Sequence, residues 1–194
     1  MQSIVEILAQ ELGQKQQYIE NVVNLIDEGN TIPFIARYRK EMHGAMDDTT
    51  LRNLETRLTY LRNLQQRRDE VKKSIENQGK LTEELSAAID NASTMTEVED
   101  LYRPYKQKRR TRGSIAREKG LDPLAQAIFA QDGQDIEKLA QGFLDEEKGV
   151  ATVEEAIAGA SDIIAENLSD DAEIRKNLRA LVMRRGSLVS KADD

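Results

Sequence analysis

The sequence lacks cysteine and tryptophan, and its 194 residues include one histidine and three prolines. Without cysteine there can be no disulfide framework and no thiolate metal site. No apolar run approaches the roughly 20 residues of a membrane-spanning helix, and the N-terminal residues lack the basic start and apolar block of a secretory signal. These absences predict a cytoplasmic protein, and nothing in the sequence calls for a cofactor.

Aromatic residues are also scarce, at 4% of the chain. The abundant residues are Ala, Leu, Ile, Glu, Gln, Lys and Arg, which favour helices over sheets. A chain of this length can bury a core and fits one domain or two small ones. The composition predicts an all-α, multi-helical fold. In its second half, apolar periodicity predicts helices near residues 123–131, 135–147, 153–168 and 171–185.

Charge is unevenly distributed along the chain. The formal net charge is −7, yet residues 103–119 carry seven excess positive charges and residues 132–173 carry eleven excess negative charges. Blocks of opposite sign can neutralise each other within the fold, or the basic block can serve an anionic partner. Both interpretations stay open at the level of sequence.

One long helix is predicted for residues 47–78, which contain no glycine or proline. Asp47 and Asp48 precede its first turn, where carboxylates suit helix capping better than metal binding. Apolar residues recur along one side at helical spacing, namely Leu51, Leu54, Leu58, Leu61, Leu64, Val71 and Ile75. The other side is basic and is typical of a solvated surface with intrahelical ion pairs. Its cations are Arg52, Arg57, Arg62, Arg67, Arg68, Lys72 and Lys73.

A helix-turn-helix segment is predicted for residues 1–46, with residues 47–194 as the helical remainder of one structural region. A helix over residues 15–27, a turn at 28–30 and a short helix from Pro33 form this motif.

The short helix combines apolar and basic residues. Ile35, Tyr38 and Met42 are predicted to pack inward. The outward-facing cations are predicted to be Arg37, Arg39 and Lys40. A helix that presents cations in this way can dock on nucleic acid, although helices joined by a glycine turn are common in any bundle.

The second basic stretch, residues 103–119, contains eight cations and a single acidic residue, Glu118. The cations are Arg103, Lys106, Lys108, Arg109, Arg110, Arg112, Arg117 and Lys119. A phosphate backbone would relieve their mutual repulsion by neutralisation and counterion release, and neighbouring acidic helices would do the same. Pro104 predicts an extended backbone up to about Thr111. Tyr102 and Tyr105 are predicted to be packing anchors rather than rings that stack on bases.

Few residues are suited to catalysis. His43 lies beside Gly44 in a predicted turn and has no nucleophile or metal partner nearby in the sequence, so it is predicted to be a surface residue. No phosphate-binding glycine loop, zinc spacing or nucleophile elbow is present. The sequence therefore predicts a protein that is not an enzyme and binds no metal.

Several blocks of the sequence together resemble the N-terminal region of the bacterial Tex family of transcription accessory proteins. They are TIPFIARYRKE (31–41), LRNLETRLTYLRNLQQRRDEV (51–71), IENQGKLTEEL (75–85), EDLYRPYKQKRRT (99–111) and IAREKGLDPLA (115–125). The resemblance covers essentially the whole chain. The sequence departs from the family pattern at Arg103 and Gln107, and the turn at residues 43–46 has lost a glycine.

The resemblance implies a multi-domain nucleic-acid-binding protein whose N-terminal part is helical and contains a helix-turn-helix unit. It also implies later domains for which this chain has no room: an RNase-H-like domain, helix-hairpin-helix elements and an OB-fold RNA-binding domain. We therefore expect an N-terminal fragment.

The leading hypothesis is a non-catalytic helical module that binds RNA or DNA with little sequence preference, through the cations named above in the short helix and in residues 103–119. The alternative is a structural module that supports the later Tex domains or contacts the transcription machinery without holding nucleic acid itself. A nuclease is a distant third.

Overall fold

The computed structural model describes residues 2–106 and 110–190. Eleven α-helices and one short 3-10 helix form the regular structure of these residues, which include no strand and a single isolated β-bridge between Asp145 and Val150. The all-α prediction is confirmed. The chain divides into two compact units, Met1–Gly79 and Lys80–Asp194. Residues 1–46 form part of the first unit. Their predicted role as a separate helix-turn-helix segment stays a prediction.

The first unit contains four helices: α1 (Ile4–Leu12), α2 (Gln16–Asp27), α3 (Ile32–Tyr38) and α4 (Asp48–Glu76). Helices α2 and α3 follow one another across the predicted turn, where Gly29 has a φ of 87°. Their apolar sides bury a core with α1 and α4 that includes Leu8, Ile19, Ile35 and Leu51. Burial of these side chains provides the main driving force for folding.

Helix α4 confirms the predicted long helix to within two residues at each end. The side chain of Asp47 accepts a hydrogen bond from the Thr50 amide at 2.7 Å, so Asp47 caps the helix as predicted. The seven apolar residues predicted to line one side are all buried. At 1.5 Å per residue the helix is about 43 Å long.

Two cations of α4 behave differently from the predicted solvated surface. Arg57 donates two hydrogen bonds of 2.7 Å to Glu11 of α1, and Arg62 donates two, of 2.7 and 2.8 Å, to Asp27 of α2. Such paired guanidinium–carboxylate contacts fix geometry better than single ones. Three other cations match the expected intrahelical pattern: Arg52 pairs with Asp48, Arg67 with Glu70, and Lys72 with Asp69.

The second unit contains seven α-helices and the 3-10 helix Arg103–Tyr105. The α-helices are α5 (Glu83–Asn91), α6 (Met95–Tyr102), α7 (Arg112–Glu118), α8 (Asp122–Ala130), α9 (Ile136–Gln141), α10 (Val153–Asp170) and α11 (Ala172–Arg185). Helix α10 packs against α7 and α8. Their shared core is built largely from small residues, including Ala116, Ala156 and Ala160, which let the helices approach closely.

Two predictions for this unit are wrong. Helix α9 ends at Gln141 instead of residue 147, because the chain turns at Gly142 and Asp145 then pairs with Val150. The segment after Tyr102 is not extended from Pro104 onwards. It first continues α6 as the 3-10 helix, because proline is tolerated in the first turn of a helix, and it becomes extended only at Lys106.

Candidate nucleic-acid interface

Helix α3 is oriented by its two isoleucines. Ile32 and Ile35 are buried in the core of the first unit. With 3.6 residues per turn, Arg37 then lies opposite the buried side, and Phe34 and Tyr38 lie next to each other on one flank of the helix. The Phe34 side chain is 37% exposed and that of Tyr38 is 58% exposed. The prediction that Tyr38 packs inward is therefore wrong.

The two exposed rings of α3 contact each other and two guanidinium groups. The Phe34 and Tyr38 ring centroids are 5.2 Å apart, with an interplanar angle of 48°. The Arg39 guanidinium lies 5.6 Å from the Phe34 centroid, and that of Arg37 lies 6.0 Å from the Tyr38 centroid. These distances fall within the range of cation–π attraction. Rings and cations thus form one continuous surface.

The cations of this surface have no acidic partners. Arg37, Arg39 and Lys40 are exposed, and none of them forms an ion pair with a carboxylate in the part of the chain that the structure describes. Glu41 is the one acidic residue among residues 31–46. We call Phe34, Arg37, Tyr38, Arg39 and Lys40 the α3 patch.

The loop that follows the α3 patch is anchored to α2. The Asn21 side-chain amide donates a 2.9 Å hydrogen bond to the Met42 carbonyl, and the Ala45 amide donates one of 3.2 Å to the Lys40 carbonyl. Gly44 and Ala45 both have left-handed backbones, with φ values of 61° and 58°. The backbone that carries Lys40 is thereby held against the rest of the unit.

His43 in this loop is buried, with 1% of its surface exposed, so the prediction of a surface residue is wrong. Neither ring nitrogen has a hydrogen-bond partner among the described residues. Sequence could not show this, because the ring is enclosed only when the loop closes on α2. The buried nitrogens oppose folding because they lose their hydration without a replacement.

Replacing His43 with leucine is expected to raise the free energy of unfolding by about 1 kcal/mol, because an apolar side chain needs no partner. Urea denaturation followed by circular dichroism measures the change. The variant His43→Ala separates polarity from volume and is expected to be destabilised by the cavity that it leaves. A less stable leucine variant would contradict the prediction.

The described cations of the second basic stretch are paired, in contrast to those of the α3 patch. Helix α10 carries three carboxylates at intervals of four residues, which place them along one side of the helix. Arg103 pairs with Asp170 at 2.8 Å, Arg117 with Glu166 at 3.0 Å, and Arg112 with Asp162 at 3.5 Å.

The remaining described cations of this stretch also have partners within the second unit. Lys106 pairs with Glu99, and Arg110 pairs with Glu118 at 2.8 Å. Lys119 donates a 2.6 Å hydrogen bond to the carbonyl of Gly149. Lys108 and Arg109, which are also predicted to bind nucleic acid, lie outside the described residues.

Acidic partners within the same unit therefore neutralise most of the described cations of this stretch. This agrees with the interpretation in which blocks of opposite charge neutralise each other within the fold. Two of these pairs are weak, because the side chains of Arg112 and Arg110 are largely exposed and exposed ion pairs contribute little to stability.

No helix among the described residues is long and apolar enough to cross a membrane. The same residues contain no group of three His, Cys, Asp or Glu side chains placed to hold a metal ion.

Comparison with known families gives two matches that together account for most of the chain. The family model described as Tex-like protein N-terminal domain matches residues 2–76, and the model described as Tex central region-like matches residues 131–194. The chain belongs to the Tex family. The α3 patch lies within the first match, whereas the second basic stretch of this Tex chain lies between the two.

Individual relatives agree with this assignment. The chain is 47% identical over 188 residues to protein YhgF of Escherichia coli (strain K12), which covers 97% of this chain and 24% of YhgF. It is 49% identical over 177 residues to transcriptional accessory protein Tex of Neisseria gonorrhoeae, covering 91% of this chain and 23% of that protein. A more distant relative is human S1 RNA-binding domain-containing protein 1, at 29% identity over 183 residues, covering 94% of this chain and 18% of that protein. The chain spans about a quarter of the length of its bacterial relatives.

The pattern of the short helix predicts Arg37, Arg39 and Lys40 as outward-facing cations, but it does not predict the exposure of Phe34 and wrongly turns Tyr38 inward. The spacing of Ile35, Tyr38 and Met42 predicts inward packing only if the helix reaches Met42. Helix α3 ends at Tyr38, so this spacing does not apply. Ile32 and Ile35 are the informative pair, because a buried side centred between them leaves Phe34 and Tyr38 on one flank of the helix instead of at the centre of the core-facing side.

Proposed function

We propose that this chain is a non-catalytic helical module of a Tex-type transcription accessory protein, and that it binds RNA or DNA with little sequence preference in the cytoplasm. The observation that carries the proposal is the α3 patch, where unpaired cations surround two exposed aromatic rings. The name of the gonococcal relative, a transcriptional accessory protein, and that of the distant human relative, an S1 RNA-binding domain protein, support it.

The two basic segments differ in how readily their cations can neutralise phosphates. A cation already paired with a carboxylate must give up that partner before it can neutralise a phosphate, whereas the cations of the α3 patch have no carboxylate partner among the described residues. Contact with phosphates releases condensed counterions. If three phosphates are contacted, the logarithm of the binding constant should fall against the logarithm of the salt concentration with a slope of about −2 to −3.

The double substitution Arg37→Glu/Lys40→Glu is expected to weaken oligonucleotide binding at least about tenfold at low salt and to flatten the salt dependence, because two phosphate contacts become repulsive. Fluorescence anisotropy with labelled oligonucleotides at two salt concentrations measures both quantities.

The matched control is Arg110→Glu/Arg112→Glu, which reverses two exposed but paired cations of the second stretch and is expected to have a smaller effect. The substitution Arg109→Glu/Arg110→Glu tests the predicted contribution of that stretch directly. The absence of oligonucleotide binding by the unsubstituted chain at low salt, or equal affinity after all three reversals, would refute the proposal. We also expect no metal-stimulated cleavage of the oligonucleotides.

A structural docking module is the second candidate function, and two observations favour it. The pairing of the second basic stretch with α10 makes that surface less available to phosphate. Helix α11 exposes a row of apolar side chains that includes Leu178, Leu181 and Val182, of a kind that protein partners commonly cover. Capture of this chain by the C-terminal portion of a Tex protein, without any oligonucleotide affinity, would favour this second function.

A further inference from the structure

Tyr38 and Phe34 are placed in a way that the stability of the first unit does not explain. The chain has only eight aromatic residues, three phenylalanines and five tyrosines, and two of them lie exposed, four residues apart, on one seven-residue helix. Burial of such rings is among the larger favourable contributions to a small core. Rings left in water on a helix whose isoleucines are buried are available to a ligand.

The arrangement of the rings suits a planar ligand. Phe34 and Tyr38 contact each other at a tilt, so each restricts the motion of the other, and the more exposed Tyr38 ring forms the outer surface. The guanidinium groups of Arg37 and Arg39 adjoin the same rings and are themselves planar. Aromatic rings and guanidinium planes both stack on nucleic-acid bases, and they do so on any base because every base has a π face.

An exposed ring can stack on the face of a base only if that base is unpaired. In a duplex the faces of each base are covered by its neighbours, and stacking on them requires the helix to be opened at a cost of several kcal/mol. A helix that reads the groove of a duplex presents hydrogen-bonding side chains to the base edges. The outer side of α3 instead presents Phe34 and Tyr38, with cations beside them to contact phosphates.

We infer that the α3 patch binds single-stranded nucleic acid, with an unpaired base stacked on Tyr38 and Phe34 while Arg37, Arg39 and Lys40 contact the adjoining phosphates. This inference rests on the proposed function and adds the form of the nucleic acid and the residues that hold the base. The chemistry is common to RNA and DNA, so both are compared in the test.

The absence of tryptophan from the chain allows a direct test of stacking. The substitution Tyr38→Trp introduces a single indole into the patch, and Phe129→Trp introduces one at a ring that is 60% exposed on α8. A 12-nucleotide single strand, as RNA and as DNA, is expected to quench the emission of the first variant and to leave that of the second unchanged. A 12-base-pair duplex at equal nucleotide concentration is expected to quench neither. Equal quenching at the two positions, or by duplex and single strand, would overturn the inference.

Affinity gives an independent readout in the full 194-residue chain. Tyr38→Ala is expected to weaken single-strand binding about tenfold, with a smaller effect on duplex, because one stacking contact is lost. Tyr38→Phe keeps the ring and should bind as the unsubstituted chain does, and Phe129→Ala should also leave affinity unchanged. Circular dichroism establishes that each variant is folded.

The outcomes separate the inference from the proposed function. If Arg37→Glu/Lys40→Glu lowers affinity while Tyr38→Ala does not, the proposed function stands and the stacking inference fails. If the unsubstituted chain binds single strand and duplex equally, the inference also fails. If no oligonucleotide binds, both fail together.

Discussion

Replacing Gly44 with alanine is expected to lower the free energy of unfolding by roughly 2–4 kcal/mol. Two effects add. Gly44 has a φ of 61°, in the left-handed region that costs a residue with a Cβ about 1–2 kcal/mol. An added Cβ would also overlap the ring of Tyr18, which packs against the core of the first unit, so that ring must shift. Urea denaturation followed by circular dichroism measures the loss.

Ala45 provides the matched control for this prediction. Its φ of 58° is nearly the same, but the residue already has a Cβ, so Ala45→Gly relieves strain and is expected to stabilise the unit by about 0.5 kcal/mol. The two substitutions together separate backbone conformation from the overlap with Tyr18. If Gly44→Ala costs no more than Ala45→Gly gains, the contact with Tyr18 contributes nothing and the prediction is wrong.

Removing the carboxylate of Asp100 is expected to lower the stability of the second unit about as much as Gly44→Ala lowers that of the first. Asp100 of α6 is buried, and it accepts hydrogen bonds from two residues of α11, from Arg175 at 2.6 Å and from Arg179. The variant Asp100→Ala is expected to lose about 2–3 kcal/mol of unfolding free energy, less than for a pair buried on both sides, because the two guanidinium groups are partly exposed and regain some hydration. Denaturant unfolding measures this change as well.

Acid should reproduce part of the effect of Asp100→Ala. Burial by itself would raise the pKa of Asp100, but hydrogen bonds from Arg179 and Arg175 outweigh it and hold the pKa below its ordinary value. A carboxyl group whose pKa is lowered by folding contributes stability above its unfolded pKa, near about 4, and that contribution is lost as the pH falls through the folded pKa. The stability difference between the unsubstituted chain and Asp100→Asn should therefore shrink as the pH falls below about 4.

The control is Glu118→Ala, which removes an exposed partner of Arg110 and is expected to change stability by less than about 0.5 kcal/mol. Equal losses for Asp100→Ala and Glu118→Ala, or a stability difference for Asp100→Asn that does not depend on pH, would contradict this account of the contact between α6 and α11.

The long helix shows why parts of this fold were predictable. Residues 47–78 contain no helix breaker, their apolar side chains recur at one spacing, and Asp47 stands where a cap is needed, so local signals agreed and α4 formed nearly as expected. Helix α9 shows the opposite case. Its apolar pattern predicts a helix that continues past Gly142. The helix ends at Gln141 instead, and Asp145 pairs with Val150, because the local preference for helix is weak there.

The charged residues illustrate the same limit at the candidate site. Sequence showed that residues 103–119 are basic and residues 132–173 acidic, but not which cations would meet which carboxylates. The pairing of Arg103, Arg112 and Arg117 with α10 depends on the approach of α7 and α10, which brings together residues about 50 or more positions apart. Sequence likewise could not show that Arg37, Arg39 and Lys40 have no carboxylate partner among the described residues, because that depends on which side chains lie near α3 in the folded unit.

The sequence by itself determined the helical class, the long helix, the membership of the Tex family and the two basic segments, because each of these features depends on residues that are close together along the chain. Only the tertiary structure decided that His43 is buried and that Tyr38 and Phe34 face water. It also decided that, among the described residues, most cations of residues 103–119 pair with carboxylates whereas Arg37, Arg39 and Lys40 do not. Those properties depend on which distant residues come within a few ångströms of each other, and burial and electrostatic pairing act at that range and have no counterpart in local spacing.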